Sequence, residues 1–309
     1  MVRHKIIVNP VSGRGEGKAD IPRAESLLRT LGVPFDLVCT ERPMHAVSLA
    51  RAAAAEGYGV VAAMGGDGTA NEVINGLMQA SLAGEGTAAM GIIAVGRGND
   101  FANGIGVRHG LEASCRVLAA GKRRRIDVGK VSGGLFPEGR FFGNGIGVGF
   151  DAVVGLEAAK LTWLSGFLCY LVAALKTIFL YFNAPLLQIH FDDGTLEQPS
   201  LMVSVMNGRR MGGTFHMAPQ SKIDDGLFTV CLAGQVSRLG IFLLIPRFIQ
   251  GTQAGHPAIR FFETAQLTVR ALRGSLTAHA DGETICTEGQ SLAAEILPRA
   301  MEVVCDGKD

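Results

Sequence analysis

Val60-Val61-Ala62-Ala63-Met64-Gly65-Gly66-Asp67-Gly68-Thr69-Ala70-Asn71-Glu72-Val73 is the stretch that decides the fold. A short apolar run ends at Met64, glycines follow at once, and the pattern beyond Thr69 predicts a helix that includes Asn71, Glu72 and Val73. Strand, glycine loop and helix in that order open a parallel βαβ unit. Glycine lets the backbone turn tightly and brings N–H groups against phosphate oxygens, and the helix N-terminus adds partial positive charge. Asp67 offers Mg²⁺ a hard oxygen, directly or through water. An ordinary tight turn accounts for the same residues, so this loop by itself supports phosphate binding without fixing it.

The same grammar extends to both sides. Lys5–Val8, Phe35–Val38 and Gly91–Val95 read as further strands, and glycine-rich turns follow those ending at Val8 and Val95. Asp20-Ile21-Pro22 opens a helix that Gly32 stops, and Ala46–Glu56 makes a second helix before Gly57. Three loops should therefore emerge at the carboxyl edge of one parallel sheet, where such folds bind ligands. The first is Asn9-Pro10-Val11-Ser12-Gly13, with Arg14 and Lys18 near enough to meet phosphate charge. It is not a Walker A loop, since Gly13 to Gly17 is one residue short and Ala19 follows Lys18. The third is Gly96-Arg97-Gly98-Asn99-Asp100-Phe101-Ala102. Neither the first loop nor the Gly65–Thr69 loop is a G-x-G-x-x-G fingerprint, which removes most support for a dehydrogenase.

After Ile126 the pattern changes to short, closely spaced strands. Asp193-Gly194, Asp225-Gly226 and Asp281-Gly282 signal hairpin turns, and Leu267–Ala271 alternates as a half-buried strand does. The fold expected is an α/β nucleotide-binding domain with a parallel sheet over residues 1–126, then an antiparallel β-sandwich over 127–309. Only two long apolar stretches in the second part resemble helices, Leu161–Phe182 and Leu239–Ile245, the latter ended by Pro246-Arg247. The first is long enough to cross a bilayer, but one crossing would strand the glycine loops and the later segment on opposite sides, and Lys176 interrupts it. A buried or membrane-touching helix is the better reading.

Composition narrows the function classes. Lysine and arginine number 29 against 28 acids, for a net charge of +1, so no polyanion is attracted and a nucleic-acid partner is not expected. Hydrophobic residues make up 48% and charged residues 18%, which leaves apolar surface available for a function. The six cysteines carry no C-x-x-C pair and no zinc spacing, and read as buried thiols of a reducing cytosol. The short apolar run Ile6-Ile7-Val8 before Asn9-Pro10 is too brief for a signal peptide.

Taken together, Asn9-Pro10-x-Ser12-Gly13, Gly65-Gly66-Asp67-Gly68-Thr69-x-Asn71-Glu72-Val73 and Gly96-x-x-Asn99-Asp100-Phe101-Ala102 resemble the diacylglycerol kinase catalytic domain and its bacterial lipid-kinase relatives. Ile126-Asp127-Val128-Gly129, Phe142-x-Asn144, Asp224-Asp225-Gly226 and Asp281-Gly282-Glu283 extend the resemblance over nearly the whole chain. It implies ATP bound by Asn9, Pro10, Val11, Ser12, Gly13, Thr40, Gly66, Asp67, Gly68, Thr69, Ala70, Asn71 and Glu72. Arg97 stands where the family usually has a threonine that touches the nucleotide, and its planar, permanently charged fork suits phosphate. Asp67, Asp100 and Asp127 correspond to acids around the reactive Mg²⁺, which fits phosphoryl transfer by positioning and charge neutralisation. A helix cap for Asp100 and a strand-edge acid for Asp127 are the bland alternatives.

By the same resemblance, Glu283 is the general base that accepts the lipid hydroxyl proton, although a glutamate after a hairpin Asp-Gly is ordinarily solvated. Asp225, with the carbonyls of Lys222 and Leu227, matches a structural Mg²⁺ site, for which a plain turn is the alternative. Trp163, Phe167, Tyr170, Phe179, Phe242, Leu243 and Leu244 line an acyl-chain cleft, touch the bilayer, or simply pack as helical core. Lys122-Arg123-Arg124-Arg125 attracts anionic lipid or is a solvated turn. The implied protein is a cytoplasmic, peripherally membrane-associated ATP- and Mg²⁺-dependent lipid kinase without a transmembrane span, for which a homodimer is admissible. An NAD kinase-like enzyme and an inactive lipid- or nucleotide-binding homologue are the rivals.

Overall fold

The computed structural model describes residues 2–96, 98–161, 164, 166–180 and 184–307. Arg97 and Trp163 lie outside the described residues, as do the side chains of Arg14, Phe167 and Tyr170. Two compact units are present, Met1–Asp127 with Arg299–Asp309, and Val128–Pro298.

In the first unit β1 (His4–Val8) leads through α1 (Glu16–Ala19) and α2 (Ile21–Thr30) to β2 (Phe35–Cys39), and α3 (His45–Ala55) leads to β3 (Val60–Gly65). Then come α4 (Asp67–Leu82), β4 (Ala89–Ala94), α5 (Asp100–Gly104), α6 (Leu111–Ala120) and β5 (Arg123–Gly133), which runs on into the second unit. The strands pair in parallel in the order β2-β1-β3-β4, and Val303, near the chain's end, pairs with Met90 beyond β4. β3 and β4, buried on both faces, are continuously apolar, as parallel strands covered by helices must be. Ile6, Val8, Val60, Ala62, Met64 and Ile93 pack on one side against Ala24 and Leu28 of α2 and Cys115 and Leu118 of α6. Gly32 and Gly57, both at positive φ, end α2 and α3 where the sequence places those stops.

The sequence pattern extends the second domain over 127–309, whereas the compact second unit is Val128–Pro298. Val303 returns to the parallel sheet beside Met90, a pairing that no local pattern announces.

The second unit continues with β6 (Phe136–Phe142), β7 (Gly145–Gly149), α7 (Phe150–Lys160), α8 (Gly166–Leu180), β8 (Leu186–Phe191), β9 (Gly194–Met206) and β10 (Phe228–Gly234). It closes with α9 (Arg238–Gln250), β11 (Ile259–Thr264), β12 (Gln266–Arg273), β13 (Leu276–Ala280), β14 (Glu283–Gly289) and β15 (Ser291–Val304). One sheet has the order β14-β13-β7-β9-β10-β11, and the other β9-β8-β12-β15-β5-β6. The long strand β9 serves both, pairing with β8 through residues 194–199 and with β7 and β10 through its second half. The expected antiparallel sandwich is thus present, with Leu187, Ile189, Val203, Val205, Phe228 and Val230 among its core. The opposite face of β9 and β10 buries Met202, Met206, Cys231 and Ala233 against Leu244 and Phe248 of α9.

Three local readings are corrected. α7 carries no sequence signal, because Asp151 apart the run Phe150–Leu156 is apolar or small on every side and shows no helical stripe. α9 runs through Pro246 to Gln250 rather than stopping there. Phe242 and Pro246 are both exposed, so the carbonyl that loses its partner faces water. Asp225-Gly226 forms a turn ahead of β10 but joins no hairpin, unlike Asp193-Gly194 and Asp281-Gly282. Among the described residues no helix is long and apolar enough to cross a membrane.

Candidate active site

Strand order 2-1-3-4 reverses between β1 and β3, and the crevice at the carboxyl ends of the strands beside such a reversal is where open α/β sheets bind ligands. The first two glycine loops leave the sheet at that point, after Val8 and Gly65. Thr40 joins them, its N–H donating to the Val8 carbonyl at 2.8 Å.

Each loop is shaped by the other two. Asn9 Nδ2 donates to Thr69 Oγ1 at 3.2 Å, tying the first loop to the second, while Asn9 Oδ1 accepts the Val11 N–H. Gly13, at φ +60, passes so near β4 that a Cβ would meet the Val95 carbonyl at 2.7 Å. A Cβ on Gly96 would come within 2.3 Å of the Gly66 Cα, so the second and third loops touch backbone to backbone. Asp67 Oδ1 accepts the Phe101 N–H at 3.0 Å, joining the start of α4 to the first turn of α5. The third loop is closed by Asn99, at φ +52, whose side chain bonds both the N–H and the carbonyl of Gly96. Glycine is therefore demanded at 13 and 96 by neighbouring backbone, which a free-standing tight turn would not require.

The remaining residues of the expected nucleotide set divide. Ser12 and Gly13 form a short turn and Val11 is exposed, while Pro10 accepts the Lys18 N–H. Gly66 and Gly68 flank Asp67 at the start of α4, but Ala70 and Asn71 are fully buried, Asn71 Oδ1 accepting from Asn75 Nδ2. Glu72 turns to α3, where its two oxygens accept the N–H groups of Met44 and Ala46, each at 2.9 Å. Asp100 is buried in the first turn of α5. Asp127 is fully buried, and its Oδ1 accepts the Arg299 N–H at 2.6 Å where the chain re-enters the first unit.

In the second unit, Asp281 and Gly282, both at positive φ, form a two-residue hairpin turn between β13 and β14, with Glu283 half-buried at the start of β14. Sequence reasoning missed the role of Asp281. Its Oδ2 accepts the Gly143 N–H at 2.8 Å and its Oδ1 those of Asn144 and Gly145 at 3.0 Å each. Three amide donors on one buried carboxylate lock the turn to the Phe142-x-Asn144 segment. The pairing of those two motifs in the sequence was the signal available. Asp225 lies in an exposed turn, its Oδ1 accepting the Leu227 N–H at 3.1 Å, with Lys222 also exposed.

Residues 3–131 match the model of the diacylglycerol kinase catalytic domain, and residues 144–305 match that of the YegS C-terminal NAD kinase beta sandwich-like domain. The chain belongs to the diacylglycerol kinase catalytic-domain family. A diacylglycerol kinase of Staphylococcus aureus (strain bovine RF122 / ET3-1) is 26% identical over 282 residues, spanning 91% of this chain and 86% of the relative. One from Staphylococcus saprophyticus is equally similar, at 26% over 282 residues. The crystal structure of a diacylglycerol kinase from Bacillus anthracis str. Sterne superposes with a TM-score of 0.75 at 19% identity, covering 99% of this chain and 97% of that one.

The protein is thus a kinase, a phosphotransferase with an alcohol group as acceptor, and a nucleotide is among its substrates. Among the described residues no cluster of three or more His, Cys, Asp or Glu side chains forms a metal cage.

Proposed function

We propose that this kinase transfers the γ-phosphate of ATP to the hydroxyl of diacylglycerol or a closely related lipid, giving phosphatidic acid or its analogue. The observation that carries the reading is the mutual shaping of the three loops at the sheet's reversal point, which leaves glycine backbone and the N-terminus of α4 to face phosphate. Asn9–Gly13, Gly66, Gly68 and Thr69 would hold the nucleotide, with Thr40 beside them. Asp67 and Asp100 would hold Mg²⁺ together with the phosphates. When bound, the ion supplies positive charge against the oxygens of the group in transfer. The lipid oxygen forms the new bond to the γ-phosphorus as the bond from that phosphorus to the β,γ-bridging oxygen breaks. ADP departs and Glu283 takes the hydroxyl proton.

A lipid acceptor is supported by the exposed apolar side chains of Leu168 and Phe179 on α8 and Leu239, Phe242 and Leu243 on α9. Large exposed apolar groups on neighbouring helices suit peripheral attachment to a bilayer. The test is incubation with labelled ATP, Mg²⁺ and a panel of lipids in mixed micelles, with NAD as control. Label in an organic-soluble product is expected, and label in NADP would overturn the reading. Glu283→Gln should fold normally and lose at least ~10² in kcat, as removal of a general base does. Retained turnover would remove that role.

A further inference from the structure

On the helix-covered face of the sandwich a row of residues crosses five strands. Cys231 of β10 pairs with Ser204 of β9, Ser204 with Gly147 of β7, Gly147 with His279 of β13, and His279 with Thr284 of β14. In the middle, Gly147 has no side chain, and the space is taken from above by Asp151 in the first turn of α7. A Cβ on Gly147 would lie 2.6 Å from His279 Nε2 and 2.7 Å from Asp151 Oδ2. The imidazole edge and the carboxyl therefore border one small gap that only glycine leaves open.

Both groups have defined partners. Ser204 Oγ donates to Asp151 Oδ2 at 2.6 Å, and the Ala152 N–H donates to Oδ1 at 2.8 Å. The Gly282 N–H donates to His279 Nδ1 at 3.2 Å. An Nδ1 that accepts leaves the ring proton on Nε2, the nitrogen that borders the gap at Gly147. Gly282 is the middle of Asp281-Gly282-Glu283, so the imidazole spans from α7 to the residue before Glu283. Burial drives His279 down to about 4, which keeps its ring neutral and its Nδ1 lone pair available to that amide near neutral pH.

We infer that His279, buried beside Gly155 of α7, is a positioning residue for the phosphoryl transfer, fixing the Gly282 amide and with it the direction in which Glu283 leaves the turn. Asp281 anchors one side of the turn through three amides, and His279 anchors the other. His279 also packs beside Gly155 of α7, whereas Asp281 alone would tie the turn only to residues 143–145. The inference rests on the assignment of Glu283 as general base.

The test uses the full chain with ATP and diacylglycerol in mixed micelles. His279→Ala should lower kcat about tenfold and leave the KM for ATP unchanged, less than the ~10² that follows a misplacement of 1 Å. His279→Asn, whose side-chain oxygen still accepts the Gly282 N–H, should recover most of that loss. Wild-type kcat in His279→Ala beside an inactive Glu283→Gln overturns the inference and leaves the base assignment standing. Equal losses for Ala and Asn at position 279 also overturn it, since ring volume alone would explain them. Turnover retained by Glu283→Gln overturns both. If His279→Ala does not fold, His279→Leu, which fills the space but accepts no hydrogen bond, decides: a kcat loss at constant KM supports the inference, and an unchanged kcat overturns it.

Discussion

Gly96→Ala probes the site with a single methyl group. The added carbon would sit 2.3 Å from the Gly66 Cα, 2.9 Å from Asn99 Oδ1 and 3.0 Å from the Gly66 nitrogen, where ordinary contact begins at 3.4 Å. Two of these neighbours are backbone and the third is the side chain that closes the loop, so no flexible end can swing away. The second and third loops must separate by about 1 Å, a displacement that costs on the order of 10² in rate when it shifts positioning groups. Overpacking of this kind costs about 1–3 kcal/mol, well within the roughly 5–15 kcal/mol that holds a domain folded, so the variant should be recovered folded. Steady-state kinetics with labelled ATP and diacylglycerol micelles should show a fall of ~10² in kcat/KM for ATP, with a lowered unfolding midpoint. Values within about twofold of wild type would refute the claim that backbone contact between these loops shapes the nucleotide site.

Glu72→Gln presents an amide donor to one of the two helix N–H groups that the carboxylate now accepts, so it should cost about 1 kcal/mol of stability and leave the KM for ATP unchanged. A raised KM with an unchanged unfolding midpoint would instead make Glu72 a nucleotide ligand. Burial raises Asp151 from 3.8 to about 7, so its folded form binds the proton more tightly and its contribution to stability falls as pH rises across that window. His279, lowered from 6.5 to about 4, acts with opposite sign and loses stability as pH falls from 6.5 to 4. Asp151→Asn should therefore gain on wild type between about pH 5 and pH 8, by at most roughly 3 kcal/mol and by less to the extent that the residue keeps solvent contact; urea midpoints that differ equally at both pH values would defeat this.

Much of the first unit is written in local pattern. Val60–Gly65, Gly66 and the helix from Asp67 follow from an apolar run, glycines and a helix start within one window, and the same signals place β1, β4 and their loops. Thr69 could be read as part of a phosphate loop, but not as the partner of Asn9, because that bond joins residues 60 apart. Glu72 lies in the loop's continuation, which is all a linear reading shows; that its two oxygens accept the N–H groups of Met44 and Ala46, at the start of a different helix, is not visible there. In the second unit the Asp281-Gly282 turn was legible from turn chemistry, whereas the three amides that hold Asp281 come from 136 to 138 residues upstream.

Register explains why such pairings escape a linear reading. Within a strand, period-2 alternation tells which residues share a face, so Ala278 and Ala280 can be assigned to the core and His279 to the opposite side. Alternation does not say what stands beside His279. That depends on Gly147 lying opposite it in β7, on Ser204 opposite Gly147, and on a helix without an apolar stripe delivering Asp151 between them. A slip of one residue in the β7–β13 pairing would set Ile146 or Val148 against the imidazole and drive a core side chain to the helix face. The apolar sandwich core therefore fixes, at no cost to itself, the register that gathers the polar groups on its far side. Glycine at 147 is the one member of the row whose identity records the outcome, since only a missing Cβ admits Asp151 and His279 to the same gap.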